Sequence, residues 1–281
     1  MPTFAQLTDL HLRPPGVLTL GNVDADGFVT AAIDRVVADH PEVDAVLVTG
    51  DIADLGEEDA YARATMLLSR FCAPVIAMPG NHDRTGALRE AFSAFPGFAD
   101  APLAGKACTS HLIDGVTVIA LDTSVDRVEE GIHHGELGAE QLAWLDETLK
   151  ACGPALIAMH HPPFSVGIGF MDRIPLTDAT AFRQVVARHD NILRIVCGHV
   201  HRTIVGEVAG VPAMAIPGVA HQVLLALGPE AQPQLVMEPP AYGIHLVEHG
   251  AAVSHVGYVE DFGLPVTFAQ GSERAEPRRA R

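Results

Sequence analysis

The sequence predicts an α/β protein, a four-layer α/β/β/α sandwich of two mixed sheets flanked by helices, and three observations carry that expectation. From Phe4 to about Arg84, short apolar runs alternate with helix-period segments in a strand, helix, strand rhythm. A hairpin signal and a second strand, helix, strand series follow, and after Thr203 only strands and turns are read. With 281 residues, 48% of them hydrophobic, the chain is long enough to bury a large core.

Each element has its own signal. Phe4 to Thr8 reads as a strand, and Phe28, Val29, Ala32, Ile33, Val36 and Val37 mark one face of a helix that ends near Pro41. Val43 to Thr49 is a second strand, read as buried, followed by a helical stretch at Glu57 to Ser69 and a strand at Pro74 to Met78. A helix begins near Arg84. Strands around His111 and over Val116 to Leu121 are joined by Asp114-Gly115, a two-residue hairpin turn. Leu142, Leu145 and Leu149 give a helical face around Trp144, and the strands Ala155 to Met159 and Ile192 to Cys197 enclose a helix at Asp178 to Arg188. No internal repeat or low-complexity linker divides the chain.

Composition narrows the function. Thirty-five acidic residues against 18 basic ones give a formal charge of −17, a field that repels nucleic acid polymers and anionic membrane surfaces. No apolar run approaches the length needed to span a bilayer. The opening MPTFAQLTDLHL enters a strand at once and has no secretory pattern, so a cytoplasmic location is expected. Cys72, Cys108, Cys152 and Cys197 are far apart and match no zinc or redox spacing, which predicts reduced, mostly buried thiols. The unusual count is 15 histidines.

Their positions are informative, because strand ends carry ligand-type residues. Asp9 and His11 follow the first strand, Asp51 the second, Asn81-His82-Asp83 the third, His160-His161 a later one, and His199 and His201 the next. In open α/β sheets the loops beyond the carboxyl ends of strands form the sites, so these five loops are expected to meet in one crevice. Carboxylate, carboxamide and imidazole without thiolate suit a pair of borderline divalent ions, manganese, iron or zinc. Singly, Asp9, Asp51 and Asn81 could be helix caps or turn formers; the ordered set favours ligands.

The five blocks D-x-H, G-D-x-x-D, G-N-H-D, H-x-P and G-H-x-H, in this order between residues 9 and 201, resemble the calcineurin-like metallophosphoesterase family. The resemblance implies that Asp9, His11 and His201 hold one ion, Asn81, His160 and His199 the other, and that Asp51 bridges them. It implies hydrolysis of a phosphoester by a hydroxide held between the ions. His82 would stabilise charge or protonate the leaving oxygen, while Asp83 and Asp54 would hold these groups in place, Asp83 being counted with His82 among the catalytic residues. Of the adjacent pair His160 and His161, the H-x-P pattern selects His160. His133, His134, His189, His245, His249 and His255 fit no block and read as surface or satisfied core residues.

Two further stretches point to a branch. Pro217-Gly218-Val219-Ala220-His221-Gln222-Val223 and Met159-His160-His161-Pro162-Pro163 are similar to the bacterial class III cyclic nucleotide phosphodiesterases and glycerophosphodiesterases. That places His221 across the phosphate from His82, unless it only opens a strand over Gln222 to Leu227. The Gly-rich loop Phe164 to Leu176, with Ile168, Phe170 and Met171, is either an apolar lip over a substrate's organic group or an ordinary packing loop. The expected activity is hydrolysis of small phosphodiesters, cyclic nucleotides or glycerophosphodiesters. The alternatives are a phosphomonoesterase or nucleotide pyrophosphatase on the same scaffold, or a catalytically silent binding module, against which the intact ligand set argues. Residues 1–228 are expected to form the catalytic core. Residues 229–281 are expected to add strands that cap the site or join a partner in a homo-oligomer, with a flexible basic tail from about residue 270.

Overall fold

The structure, a computed structural model, describes residues 1–96, 101–126 and 131–263. The tail arginines Arg274, Arg278, Arg279 and Arg281 therefore lie outside the described residues.

Five strands form the first sheet, in the order β13-β12-β1-β2-β3. Its parallel half is β1 (Thr3–Leu7), β2 (Ala45–Thr49) and β3 (Val75–Met78), and β12 (Ala241–Glu248) and β13 (Ala251–Tyr258) extend it antiparallel. The second sheet runs β4-β5-β6-β7-β9-β8. Here β4 (Thr109–Ile113) and β5 (Val116–Ala120) are the expected hairpin, and Asp114 and Gly115 both have positive φ, the backbone that an Asp-Gly turn of this kind requires. β6 (Ala155–Ala158), β7 (Ile192–Cys197) and β9 (Val211–Ala215) continue parallel to β5, with β8 (Ile204–Val208) at the edge.

The sheets face each other across a layer built from Phe4, Leu47, Ile76 and Met78 on one side and Val118, Leu156 and Val196 on the other. Helices α1 (Ala25–Asp39), α2 (Glu58–Leu68) and α3 (Thr85–Ala91) cover the outside of the first sheet, burying Val29, Ile33, Val36, Tyr61 and Leu88. Helices α4 (Ala139–Ala151) and α5 (Ala179–Val186) cover the second with Leu145, Leu149 and Phe182. β2 and β5 are buried along their whole length, as strands covered on both faces must be, which explains why they are apolar but for Thr49 and Thr117. Each large side chain so enclosed contributes about 1.5–3 kcal/mol. The order is helix, sheet, sheet, helix, as the sequence predicts.

One strand is shorter than expected. The run Gln222 to Leu227 yields only β10 (Gln222–Val223), paired with β11 (Leu235–Val236), because the Ala226 N–H turns back to the Leu224 carbonyl at 2.8 Å. No helix among the described residues is long and apolar enough to cross a membrane.

Candidate metal centre and active site

The parallel strands end on one side of the double sheet, and their loops meet there. Asp9 and His11 leave β1, Asp51 leaves β2, Asn81 and His82 leave β3, His160 leaves β6, His199 and His201 leave β7, and His221 follows β9. Asp9, His11, Asp51, His199 and His201 all have φ between 46° and 68°. Such left-handed backbone costs a non-glycine residue about 1–3 kcal/mol, and it is found where surrounding structure imposes it. Two glycines make the crowding possible. A Cβ on Gly80 would lie 2.1 Å from Asp51 Oδ1, and one on Gly50, whose φ is +92°, would lie 2.4 Å from His160 Nδ1.

Ligand atoms of Asp9, His11, Asp51 and His201 lie within 4.8 Å of one another, all buried. His11 Nε2 is 3.2 Å from His201 Nε2 and 3.6 Å from Asp51 Oδ2, and His201 Nε2 is 3.2 Å from Asp9 Oδ1. On the other side of Asp51, its Oδ2 is 3.3 Å from His160 Nε2, which is 3.1 Å from Asn81 Oδ1. The His199 ring stands 5.2 Å from that of His160.

The hydrogen bonds of these imidazoles test whether the set fits two divalent cations. His11 Nδ1 is held by Asp54 Oδ1 at 3.0 Å, His160 Nδ1 by the Thr49 carbonyl at 2.7 Å, and His201 Nδ1 by the His221 carbonyl at 2.8 Å. Each ring thus turns an uncommitted Nε2 inward. His199 is reversed: Nε2 donates to the Ile174 carbonyl at 3.1 Å, which leaves Nδ1. This is the outer hydrogen bonding that fixes tautomer and orientation in metal-ligating histidines. Two facing imidazole nitrogens 3.2 Å apart beside buried carboxylates, with oxygen and nitrogen donors only, fit a pair of hard to borderline dications.

Burial pushes the His11 and His199 imidazoles down, the direction that favours the neutral form a ligand needs. Burial would lower His160 and His201 too, but the Asp51 carboxylate raises His160 to about 9 and the Asp9 carboxylate raises His201, so a bound cation would have to displace a proton from these two rings. Burial would raise Asp51, yet His160 and His82 hold it well below the usual carboxylate range.

Around this cluster is a cavity of about 590 Å³. His82 lines it with Nδ1 committed to the Asp54 carbonyl at 2.7 Å, while its backbone N–H donates to Asp51 Oδ1 at 2.9 Å. His221 also lines it, 4.7 Å from the His201 ring and 5.1 Å from that of His11, and its buried Nδ1 has no hydrogen-bond partner among the described residues. Phe170 and Met171 form part of the wall, whereas Ile168 points into the core of the second sheet.

Asp83 does not stand with His82. It is fully buried outside the cavity, and its oxygens accept from the N–H groups of Ile52 (3.1 Å), Ala53 (2.9 Å) and Gly80 (2.8 Å) and from the Tyr61 hydroxyl (3.1 Å). With both oxygens so occupied it ties the Asp51 loop to the Asn81 loop and touches no reacting group. Asp54, which braces His11 and His82, does line the cavity.

His161 is satisfied by Thr123 Oγ1 and the His133 carbonyl, and burial pushes it down to about 3. His245 is a core residue between Gln6 and Ser254, and His189 pairs with Asp146. His133 is different from the reading given to it: it lines the cavity, and its Nδ1 lies 3.0 Å from Asn81 Nδ2. Sequence reasoning also missed Arg173, Pro233, Gln234 and Leu235 in the wall. The Arg173 guanidinium donates to the carbonyls of Pro229 (2.7 Å) and Ala231 (3.3 Å), pinning the Pro-rich stretch beside the Phe170 loop. No local motif marks these residues; only the return of the chain does.

Comparison with known proteins gives three likenesses. A relative from Rhodopseudomonas palustris, named a probable cyclic nucleotide phosphodiesterase, is 36% identical over 255 residues and 90% of each chain. One from Arcobacter nitrofigilis, named a probable glycerophosphodiester phosphodiesterase, is 28% identical over 272 residues, 94% of this chain and 95% of its own. The crystal structure of a dimetal phosphatase from Danio rerio superposes with a TM-score of 0.66 at 16% identity, over 92% of this chain and 97% of that one, and so shares the fold. The family model for calcineurin-like phosphoesterases matches residues 2–203, the stretch that carries all five ligand-bearing loops, and the chain therefore belongs to the calcineurin-like phosphoesterase family.

Proposed function

We propose that this chain is a metal-dependent phosphodiesterase that hydrolyses small phosphodiesters, namely 3′,5′-cyclic nucleotides, glycerophosphodiesters or both. The observation that carries the reading is the Asp51 carboxylate standing between two sets of inward-facing donors, His11 with His201 and His160 with Asn81. Asp9, His11 and His201 would hold one ion, Asn81, His160 and His199 the other, and Asp51 both, with manganese, iron or zinc as the candidates. When bound, the ions neutralise phosphoryl oxygens and lower the pKa of a water that serves as nucleophile.

The remaining chemistry belongs to the chain. His82 donates Nδ1–H to the Asp54 carbonyl and presents Nε2 to the cavity, from which the imidazolium form would protonate the leaving oxygen. His221 contributes a second imidazole on the phosphate side. Asp54 orients His11 through Nδ1 and, by its carbonyl, His82. Phe170, Met171 and Leu235 provide apolar wall for an organic substituent and limit water. The relatives named as acting on cyclic nucleotides and glycerophosphodiesters support this substrate class. A charge of −17 without clustered lysine and arginine in the wall argues against polymeric nucleic acid.

The test is hydrolysis by Mn-loaded protein of bis-p-nitrophenyl phosphate against p-nitrophenyl phosphate, then of cAMP, cGMP and glycerophosphocholine. The diester should be cleaved faster than the monoester, with at least one natural diester turned over. Preference for monoesters would replace the reading with a phosphomonoesterase. The same reading takes the protein as a cytoplasmic homo-oligomer, which light scattering and cell fractionation address directly.

A further inference from the structure

We propose that His133 is a positioning residue: it fixes which end of the Asn81 carboxamide turns to the metal cluster and thereby sets the affinity of the second ion. The inference rests on the two-ion reading above. Asn81 Oδ1 lies 3.1 Å from His160 Nε2 on the cluster side, while Asn81 Nδ2 lies 3.0 Å from His133 Nδ1 on the other.

The two ends of an amide are opposite in sign, since the oxygen has lone pairs for a cation and the NH₂ has only donors. Rotation about the last torsion of asparagine is broad and close to two-fold, so a half-turn that presents NH₂ to the ions meets no intrinsic barrier of note. An acceptor behind the NH₂ removes that freedom. His133 Nδ1 is such an acceptor, with the ring proton on Nε2.

His133 is itself held by what lies behind it. Its carbonyl accepts from His161 Nε2–H at 3.0 Å, and His161 Nδ1 in turn faces the Thr123 hydroxyl at 2.8 Å. His161 is fully buried directly after β6, beside the ligand position His160. A chain of hydrogen bonds thus runs from the second sheet through His161 and His133 to Asn81, which hangs from the first sheet. Each ligand set draws on both sheets, Asn81 coming from the first and His160 and His199 from the second, and this chain sets their relative placement at the Asn81 side. His133 also packs its ring 5.2 Å from His82, so its loss is felt on the cavity wall as well.

Two variants separate the roles. His133→Leu keeps bulk and removes the acceptor, whereas His133→Asn keeps an acceptor near the position of Nδ1. Metal-free protein is titrated with Mn²⁺ by calorimetry, ion content is measured by elemental analysis, and folding is followed by the melting temperature. His133→Leu should retain one tightly held ion and bind the second ten- to hundredfold more weakly, the usual cost of losing an outer hydrogen bond to a ligand. His133→Asn should bind both as the wild type does. Two ions held by His133→Leu with unchanged affinity would overturn the inference, as would an equal loss in the Asn variant. Uptake of fewer than two ions by the wild type would instead overturn the two-ion reading. Should His133→Leu not fold, the Asn81 side-chain amide protons in wild-type NMR spectra decide: one hydrogen-bonded, slowly exchanging proton is expected, and free rotation overturns the inference.

Discussion

Asp51 binds to its surroundings through three different groups: its Oδ1 accepts the His82 N–H at 2.9 Å, and its Oδ2 faces His11 Nε2 at 3.6 Å and His160 Nε2 at 3.3 Å. With two dications bound, a carboxylate there would offset their repulsion, which a carboxamide of the same shape would not do. Asp51→Asn is therefore expected to bind one ion or none and to lose hydrolysis, as elemental analysis and a diester assay would read; two ions with near wild-type turnover would reject the bridging role. His82 is the contrasting residue, since it lines the cavity, hydrogen-bonds Asp51 through its backbone N–H, and sets its ring edge-on to that of His11 at 4.7 Å with Nδ1 turned to the Asp54 carbonyl. His82→Ala should keep its metal and lose on the order of 10² to 10⁴ in turnover, the range for a general acid–base group. The loss should shrink with good leaving groups. Metal loss in this variant would make His82 a ligand instead.

At the scale of elements, the wall is assembled from pieces far apart in the chain. The loop after β6 contributes Phe170 and Met171, and the stretch between β10 and β11 contributes Pro233 and Gln234, with Arg173 hydrogen-bonded across the gap. The backbones touch, because a Cβ on Gly169 would lie 2.0 Å from the Gly228 carbonyl oxygen. This loop is both lip and packing: Ile168, Met171 and Leu176 belong to the core of the second sheet, and Met171 together with Phe170 also lines the cavity. Replacing Phe170 and Met171 together by Ala should raise KM for diesters with large organic groups and leave metal content alone, since only apolar contact area is removed. An unchanged KM across a series of leaving-group sizes would assign the wall a structural role only.

At the scale of the whole molecule, a polar seam joins the sheets beneath the site. Gln6 on β1 donates to the Thr49 hydroxyl at 2.8 Å and the Cys197 carbonyl at 3.0 Å, and accepts from His245 at 2.9 Å. Burial, with Arg194 and His255 adding to it, pushes His245 down to about 3. The folded protein therefore keeps this imidazole neutral while the unfolded chain takes up a proton below about 6.5. The stability is present in full above that pH and declines as pH falls toward 3, by up to about 1.4 kcal/mol per unit. The melting temperature of wild type should thus drop between pH 7 and 5, and His245→Gln should show a flatter profile over that window. Parallel profiles would mean that His245 is protonated in the fold.

The strands, the helices, the hairpin and the ordered ligand-type residues were legible in the sequence, because each is written locally. Period-two and period-3.6 apolar patterns report which face is buried, Asp-Gly specifies a turn, and Asp9, Asp51, Asn81, His160 and His199 each stand just past a strand. The placements that needed the tertiary structure are those made by contact between distant segments. Asp83 looked like a partner in chemistry by adjacency to His82, yet the left-handed turn at Asp51 brings the Ile52 and Ala53 N–H groups onto it and turns it into a brace. His133 carries no motif and reaches Asn81 only because the second sheet packs against the first. Local pattern encodes what a residue's neighbours in the chain dictate, and the register of one sheet on the other decides the rest, since hydrogen bonds across that interface depend on ångström distances that no spacing in sequence records.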